Sequence, residues 1–383
     1  MNPSLPQPAV RPHPPTENSQ RKQKKSPCDF KIPEKFLLLQ RDITLSDKPE
    51  RLMDTMQTIP VFFTFNPNYL LAANVTLHSM LRHASRSYRY DLYVFHSTLN
   101  AGHRHTLEKC LEEFDHATLH FIDVTQYDES IKGFKAKAHY SKEIFYKLLA
   151  ANLLPQYDRI ICSDVDVVFT GDFSPVYFMF PEGDFYYAGV GPVENNRMPY
   201  YEPHFSPRER SILEHEISAG FMLINLKKIR EDQKSEETLD FYVKNYQRFL
   251  FPEQDCIILT CWPHIKYLPL KYSLPISFYH LDMSHREFYQ GNTEFAGDKT
   301  QALALFNEAL EHPIQIHYAG FNKPWNSFGI TRQKDWMEAL MDVPAKEGIL
   351  LYLATLPYNL LRRLKRYSLK RFLRKLSKKI KKR

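Results

Sequence analysis

The chain has 383 residues, of which 43% are hydrophobic and 25% charged, an ordinary globular balance with room for one large domain and appendages. Its five cysteines (Cys28, Cys110, Cys162, Cys256, Cys261) are scattered and form no CxxC pair. That argues against a disulfide framework or a zinc ribbon and suits a reducing compartment. The formal charge of +7 is uneven: residues 357–383 hold 13 Lys/Arg and no acid, and without them 38 Lys+Arg face 44 Asp+Glu. A mildly acidic body therefore ends in one basic segment.

The N-terminus, "MNPSLPQPAVRPHPPTENSQRKQKKSP", is proline-rich and polar, with no apolar core for a signal peptide. It reads as disordered to about Pro27, followed by a loosely attached arm to about Thr58. "TIPVFFTFNPNYLLAANVTLHSMLRHAS" reads as strand, turn and helix: Ile59–Phe65 is rich in β-formers, "NPN" is turn chemistry, and Tyr69–His83 has helical spacing. "YRYDLYVFHSTLN" predicts a second strand, His103–Phe114 a helix, and "ATLHFIDVT" a third strand. "SKEIFYKLLAANLLP" predicts a helix stopped by Pro155 that feeds a strand through "RIICSDVDVVF". Further on come "GFMLINLKKIRE" as strand and helix, and "FPEQDCIILTCWP" as a helix opened by Pro252 and Glu253. "YSLPISFYH" reads as extended, and "HPIQIHYAGFNKPW" as a strand entering a glycine loop. Strands alternating with helices imply a mostly parallel α/β sheet whose ligands bind beyond the strands' carboxyl ends. No run reaches the ~18 apolar residues of a membrane-spanning helix, so a cytoplasmic location is expected.

Asp164 and Asp166 fall at such an edge. They share one face if the extended geometry continues through them. Two carboxylates so close repel unless a cation or hydrogen bonds compensate them. Mg²⁺ or Mn²⁺, completed by a phosphate, is a natural solution, although a strand end with surface aspartates needs none. "DVDVV" also resembles the nucleophile motif of haloacid-dehalogenase-like phosphatases, but that chemistry needs a downstream acidic pair, and the sequence has no Asp-Asp dipeptide. "IQIHYAGFNKPW" supports the metal reading: His317 offers a neutral nitrogen, Gly320 close backbone approach to a phosphate, and Lys323 a point charge for a diphosphate. Each has a plainer alternative as a surface histidine, a turn glycine or a solvated lysine.

The blocks "VFFTFNPNYLLAANVTLHSM", "DRIICSDVDVVFTGDFSPVY", "SAGFMLINLKK", "EQDCI" and "HYAGFNKPW", in that order between about Ile59 and Trp325, resemble glycosyltransferase family 8. These are retaining enzymes that include bacterial lipopolysaccharide galactosyl- and glucosyltransferases. The resemblance implies a GT-A fold (a Rossmann-like, mostly parallel sheet flanked by helices), a UDP-sugar donor and a Mn²⁺ or Mg²⁺ ion. It implies that Asp164, Asp166 and His317 ligate the metal and that Gly320 and Lys323 hold the diphosphate. Thr64, Asn66, Asn68 and Tyr69 would surround uracil and ribose. Lys147, where many members carry arginine, and Ser218 and Ala219, where many read Asn-Ala, would meet the donor. Asn66 stands where an aspartate is common, and an acid usual after the metal strand is replaced within "AGVGPVENN".

A retaining double displacement needs a carboxylate beneath the anomeric carbon, and the matching position is Gln254, a poor nucleophile beside Asp255. Front-face substitution is therefore expected, with the Gln254 amide oxygen supporting the oxocarbenium-like carbon; the alternative is that Gln254 and Asp255 only begin a helix.

In the tail, Leu369, Phe372, Leu373, Leu376 and Ile380 fall at helical spacing among Lys and Arg. A basic amphipathic helix suits an anionic bilayer, so the tail reads as a peripheral attachment to the inner face of the membrane, with no nucleic acid expected. The resulting organisation is an arm over 1–58, a GT-A catalytic domain over 59–340 and a membrane-associating tail over 341–383. The expected substrates are UDP-galactose or UDP-glucose and a lipid-linked saccharide such as lipopolysaccharide core. The rival reading is a non-catalytic membrane- or nucleic-acid-binding protein with a relic enzyme body.

Overall fold

The structure, a computed structural model, describes residues 56–132, 141–191, 198–281, 298–356 and 359. The predicted arm, up to residue 55, and the basic tail beyond 356 (apart from residue 359) lie outside the described residues. Ten strands are described: β1 (Thr58–Thr64), β2 (Arg89–His96), β3 (Ala117–Asp123), β4 (Arg159–Ser163), β5 (Val167–Phe169), β6 (Tyr187–Gly189), β7 (Phe221–Asn225), β8 (Ile265–Tyr267), β9 (Leu274–Pro275) and β10 (Gln315–His317). Around them lie α1 (Leu70–His83), α2 (Ala101–Leu111), α3 (Ala150–Leu153), α4 (Met198–Tyr201), α5 (Pro207–Leu213), α6 (Leu226–Glu231), α7 (Lys234–Asn245), α8 (Pro252–Cys261), α9 (Lys299–Glu311) and α10 (Gln333–Asp342).

The main sheet has the order β3-β2-β1-β4-β7-β6-β8. β1 pairs parallel with β2 and β4, β2 with β3, and β6 with β8. Only β7 is antiparallel to its neighbours β4 and β6. This is the mixed, mostly parallel α/β sheet expected from the sequence. β1 is "TIPVFFT", and six of its seven residues are buried, which is how a strand covered on both faces reads. Helix α1 buries twelve of its fourteen residues, so it belongs to the core.

Three expectations need correction. "RIICSDVDVVF" is not one strand. β4 ends at Ser163 in the main sheet, and β5 starts at Val167 in a separate three-stranded sheet of order β5-β10-β9. Helix α1 lines this segment: Thr76 Oγ1 sits 2.8 Å from the Val165 carbonyl in the break and 2.8 Å from the Val167 carbonyl of β5, and Ser79 Oγ accepts from the Phe169 N–H of β5 at 3.2 Å. Helix hydroxyls thus take over backbone groups that a continuous strand would pair within its ladder. "YSLPISFYH" is extended only through β9 and then turns into a 3-10 helix over Ile276–His280. The predicted helix before Pro155 also exists mainly as a 3-10 helix, Lys142–Leu149, ending in the single turn of α3.

Among the described residues, Cys110, Cys162, Cys256 and Cys261 are free and buried. Among the described residues no helix is long and apolar enough to cross a membrane.

Candidate active site

A cleft of about 370 Å³ opens where β1, β4 and β10 end and α8 begins, lined among others by Thr64, Asn66, Tyr69, Asp164, Asp166, Ser218, Gln254, His317, Gly320 and Lys323. On the β1 side, Asn66 caps a 3-10 turn over Pro67–Tyr69: its Oδ1 accepts from the Asn68 N–H at 3.1 Å, and its Nδ2 donates to Glu143 Oε2 at 3.2 Å. The Asn68 side chain is exposed and does not line the cleft; its backbone serves the cap. Tyr69 packs edge-on against Trp325, with ring centroids 5.9 Å apart, which ties this turn to the "NKPW" loop.

The break between β4 and β5 carries Asp164 and Asp166. The Asp164 N–H donates to the Gly220 carbonyl at 2.9 Å, and the Asp166 carbonyl accepts from the Tyr318 N–H at 2.9 Å. Antiparallel pairing of β5 with β10 sets His317 opposite Val167, which delivers a histidine about 150 positions away to the aspartates. His317 Nε2 lies 3.4 Å from Asp166 Oδ1 and 3.7 Å from Asp164 Oδ2. One ligand atom from each of the three residues falls within 4.8 Å of the others. Two carboxylate oxygens and an imidazole nitrogen converging at a cleft wall form a donor set that suits a divalent cation. A Cβ on Gly220 would come within 2.5 Å of His317 Cε1 and 2.7 Å of its Nδ1, so only glycine lets the imidazole occupy this place.

Each aspartate also has its own ammonium. Lys147 is 2% exposed, and its Nζ lies 2.6 Å from Asp164 Oδ1, 2.9 Å from the Ala219 carbonyl and 3.5 Å from Glu253 Oε1. Burial works against this charge, but Asp164 and Glu253 outweigh it and hold the ammonium well above the ordinary lysine range. The Glu253 carboxyl, by contrast, is pushed up by its own burial despite Lys147, because the lysine sits closer to Asp164. Lys323 Nζ donates to Asp166 Oδ2 and, at 2.8 Å, to the Tyr318 carbonyl. Burial again opposes ionisation of Asp166, yet Lys323 and His317 prevail and hold it well below the usual carboxylate range.

The structure thus brings most of the sequence-predicted residues to one cleft and sets others behind it. Lys147 and Ala219 support the wall from beneath, and neither lines the cleft. Asp255 is fully buried; its Oδ1 accepts from the Tyr201 hydroxyl at 2.7 Å and its Oδ2 from the N–H groups of Leu250 and Phe251 at 2.6 and 3.1 Å. Its carboxylate is turned into the protein and holds the start of α8. Gln254, one residue earlier, does face the cleft: its Oε1 accepts from the Ala219 N–H at 3.3 Å, and its Nε2 donates to Glu216 Oε1 at 3.4 Å. Ser218 Oγ accepts from the Gly220 N–H at 3.3 Å. Gly320 has φ +96°, a left-handed conformation that favours glycine.

Glu143, Glu216 and Glu253 also line the cleft and were not singled out from the sequence. Glu253 lies inside the quoted "EQDCI" but reads as first-turn helix chemistry. Glu216 stands two residues before the "SAGF" block, where no periodicity marks it.

The model of the family described as "Glycosyl transferase family 8" matches residues 60–329. The chain is similar to a lipopolysaccharide 1,2-glucosyltransferase of Escherichia coli (strain K12), 22% identical over 283 residues, which covers 73% of this chain and 76% of that one. Among solved structures it is similar to the WbbM bifunctional glycosyltransferase (TM-score 0.58, 20% identity, 78% of this chain), of which it spans about half the length, 51%. It is also similar to an active-site mutant of LgtC (TM-score 0.55, 19% identity, 75% of this chain and 98% of that one). At these identities the structural likeness establishes the fold, which is GT-A.

Proposed function

The chain belongs to glycosyl transferase family 8, and on that premise we propose that it is a metal-dependent, retaining hexosyltransferase. In this reading it moves galactose or glucose from a UDP-sugar to a saccharide acceptor, a lipid-linked one such as lipopolysaccharide core. The observation that carries the reading is the convergence of Asp164, Asp166 and His317 at the cleft wall, with Lys323 beside them. Mn²⁺ or Mg²⁺ held by these three residues would neutralise the charge of a donor diphosphate.

The chain's own residues supply the rest. Thr64, Asn66 and Tyr69 form the end of the cleft that receives uracil and ribose, with Asn66 oriented by its bond to Glu143. Lys323 holds its ammonium at the edge of the diphosphate position, where it stabilises charge developing on the leaving phosphate; a preorganised donor of this kind contributes on the order of a hundredfold in rate. Gly320 allows the backbone to approach the same phosphates. Gln254 presents an amide, not a carboxylate, to the sugar, which favours front-face substitution with retention. Lys147 pairs with Asp164 at the cleft wall while it donates to the Ala219 carbonyl.

A membrane setting is part of the proposal. Residues 349–356 are helical, expose Leu350 (55%) and Leu353 (49%), and lead directly into the segment with 13 Lys/Arg and no acid. Apolar side chains ahead of a basic stretch suit the anionic inner face of a bilayer.

The test is release of UDP from a panel of UDP-sugars with Mn²⁺ and with chelator. Turnover of UDP-galactose or UDP-glucose that disappears with chelator supports the proposal. No turnover of any UDP-sugar overturns it.

A further inference from the structure

We infer that Glu216 is a positioning residue that sets the orientation and the polarity of the Gln254 amide, an inference that rests on the transfer reading of the cleft. Glu216 is only 2% exposed and yet lines the cleft, in the segment between α5 and β7. The Gln254 amide lies between two groups of opposite kind. An ionised carboxylate only accepts hydrogen bonds and a backbone N–H only donates. With Glu216 Oε1 at 3.4 Å from Nε2 and the Ala219 N–H at 3.3 Å from Oε1, one amide orientation satisfies both contacts. A half-turn of the amide would set oxygen against the carboxylate and NH₂ against the N–H.

These contacts join a longer chain. The Ala219 carbonyl accepts from Lys147, and Lys147 pairs with Asp164. Glu216 is therefore linked through Gln254, Ala219 and Lys147 to the aspartate pair. On its other side the Tyr201 hydroxyl lies 3.4 Å from Glu216 Oε2 and 2.7 Å from Asp255 Oδ1, which anchors the acid against the start of α8. A negative charge at the NH₂ end of an amide draws its electron density toward the oxygen. Oε1 is then held at the Ala219 N–H and is more negative than in an unpolarised glutamine. As UDP leaves, positive charge develops on the sugar carbon, and this oxygen is what Gln254 offers it. Glu216 acts on that step through Gln254, without touching the sugar.

A double-mutant cycle tests this, with kcat and donor KM measured for wild type, Glu216→Gln, Gln254→Ala and Glu216→Gln/Gln254→Ala on the UDP-sugar that turns over best. Glu216→Gln keeps the shape but loses the charge and can donate as well as accept, so the fold survives while the Gln254 amide is no longer held to one orientation. Expected are a roughly tenfold fall in kcat for Glu216→Gln with donor KM within about twofold, and no further fall when it is added to Gln254→Ala. The inference is overturned if Glu216→Gln leaves kcat unchanged, or if it lowers kcat by the same factor with and without Gln254. A wild-type protein that turns over no UDP-sugar instead sinks the transfer reading itself, and this inference with it.

Discussion

Lys147 Nζ and Asp164 Oδ1 are 2.6 Å apart, with the lysine 2% exposed and the aspartate open to the cleft. The ammonium is sealed beneath the wall, and the carboxylate it holds forms part of the surface. Lys147→Met would leave Asp164 and Glu253 without this cation. Removing one partner of a buried pair costs about 3–5 kcal/mol, and the lower end is expected here because water reaches Asp164. Urea denaturation should show a loss of about 3 kcal/mol, accompanied by loss of turnover.

Gly220→Ala should be a functional lesion more than a stability one. The new Cβ would meet the His317 ring at 2.5 Å, and the ring must rotate away from Asp164 and Asp166. Turnover is expected to fall at least about tenfold, as for other small misplacements of a reacting constellation, and Mn²⁺ affinity in titration calorimetry should fall with it. A melting temperature within a few degrees of wild type would separate this outcome from unfolding.

Helix α5 opens with a reciprocal cap: Glu209 N–H donates to Ser206 Oγ at 3.3 Å and Ser206 N–H to Glu209 Oε2 at 2.7 Å, while Arg248 Nη2 donates to Glu209 Oε1 at 2.8 Å. Burial raises the carboxyl, but the Ser206 N–H and Arg248 outweigh it, so the folded pKa lies below the ordinary 4.5. For an acid lowered on folding, the stabilisation is fully present above the unfolded pKa and lost as pH falls through the folded one. Glu209→Gln should therefore destabilise at pH 7 and converge on wild type in acid, as read from melting curves across pH 7 to 3.

Truncation before residue 357 should move the protein from the membrane fraction to the supernatant while turnover on a small soluble acceptor survives. Sedimentation with vesicles of anionic lipid reads the outcome, and unchanged sedimentation of the truncated chain would remove the tail from the account.

The main sheet and its ligand edge were legible in the sequence because β-rich apolar runs alternate with helical spacing. Asp164 and Asp166 were legible as a close carboxylate pair near the ligand edge, and His317 because it ends the apolar run "IQIH". What remained hidden depends on contacts between distant segments. Nothing local in "SDVDVV" reveals that the strand breaks there, where the Val165 carbonyl meets Thr76 of α1. Nothing in "EQDCI" distinguishes Gln254, which faces the cleft, from Asp255, which caps α8 from within, because the two differ only by one step around a helix. Glu216 was missed for a similar reason: its partner, Gln254, is 38 residues away. Lys147 reads from sequence as a donor contact, whereas its burial makes it a support for Asp164 and Ala219.

The most direct test of the central claim is the anomalous signal of Mn²⁺ in crystals grown with UDP. The account predicts one peak bonded to Asp164, Asp166 and His317, with the UDP diphosphate completing its coordination and uracil near Tyr69. UDP bound with no manganese at those three side chains would contradict it.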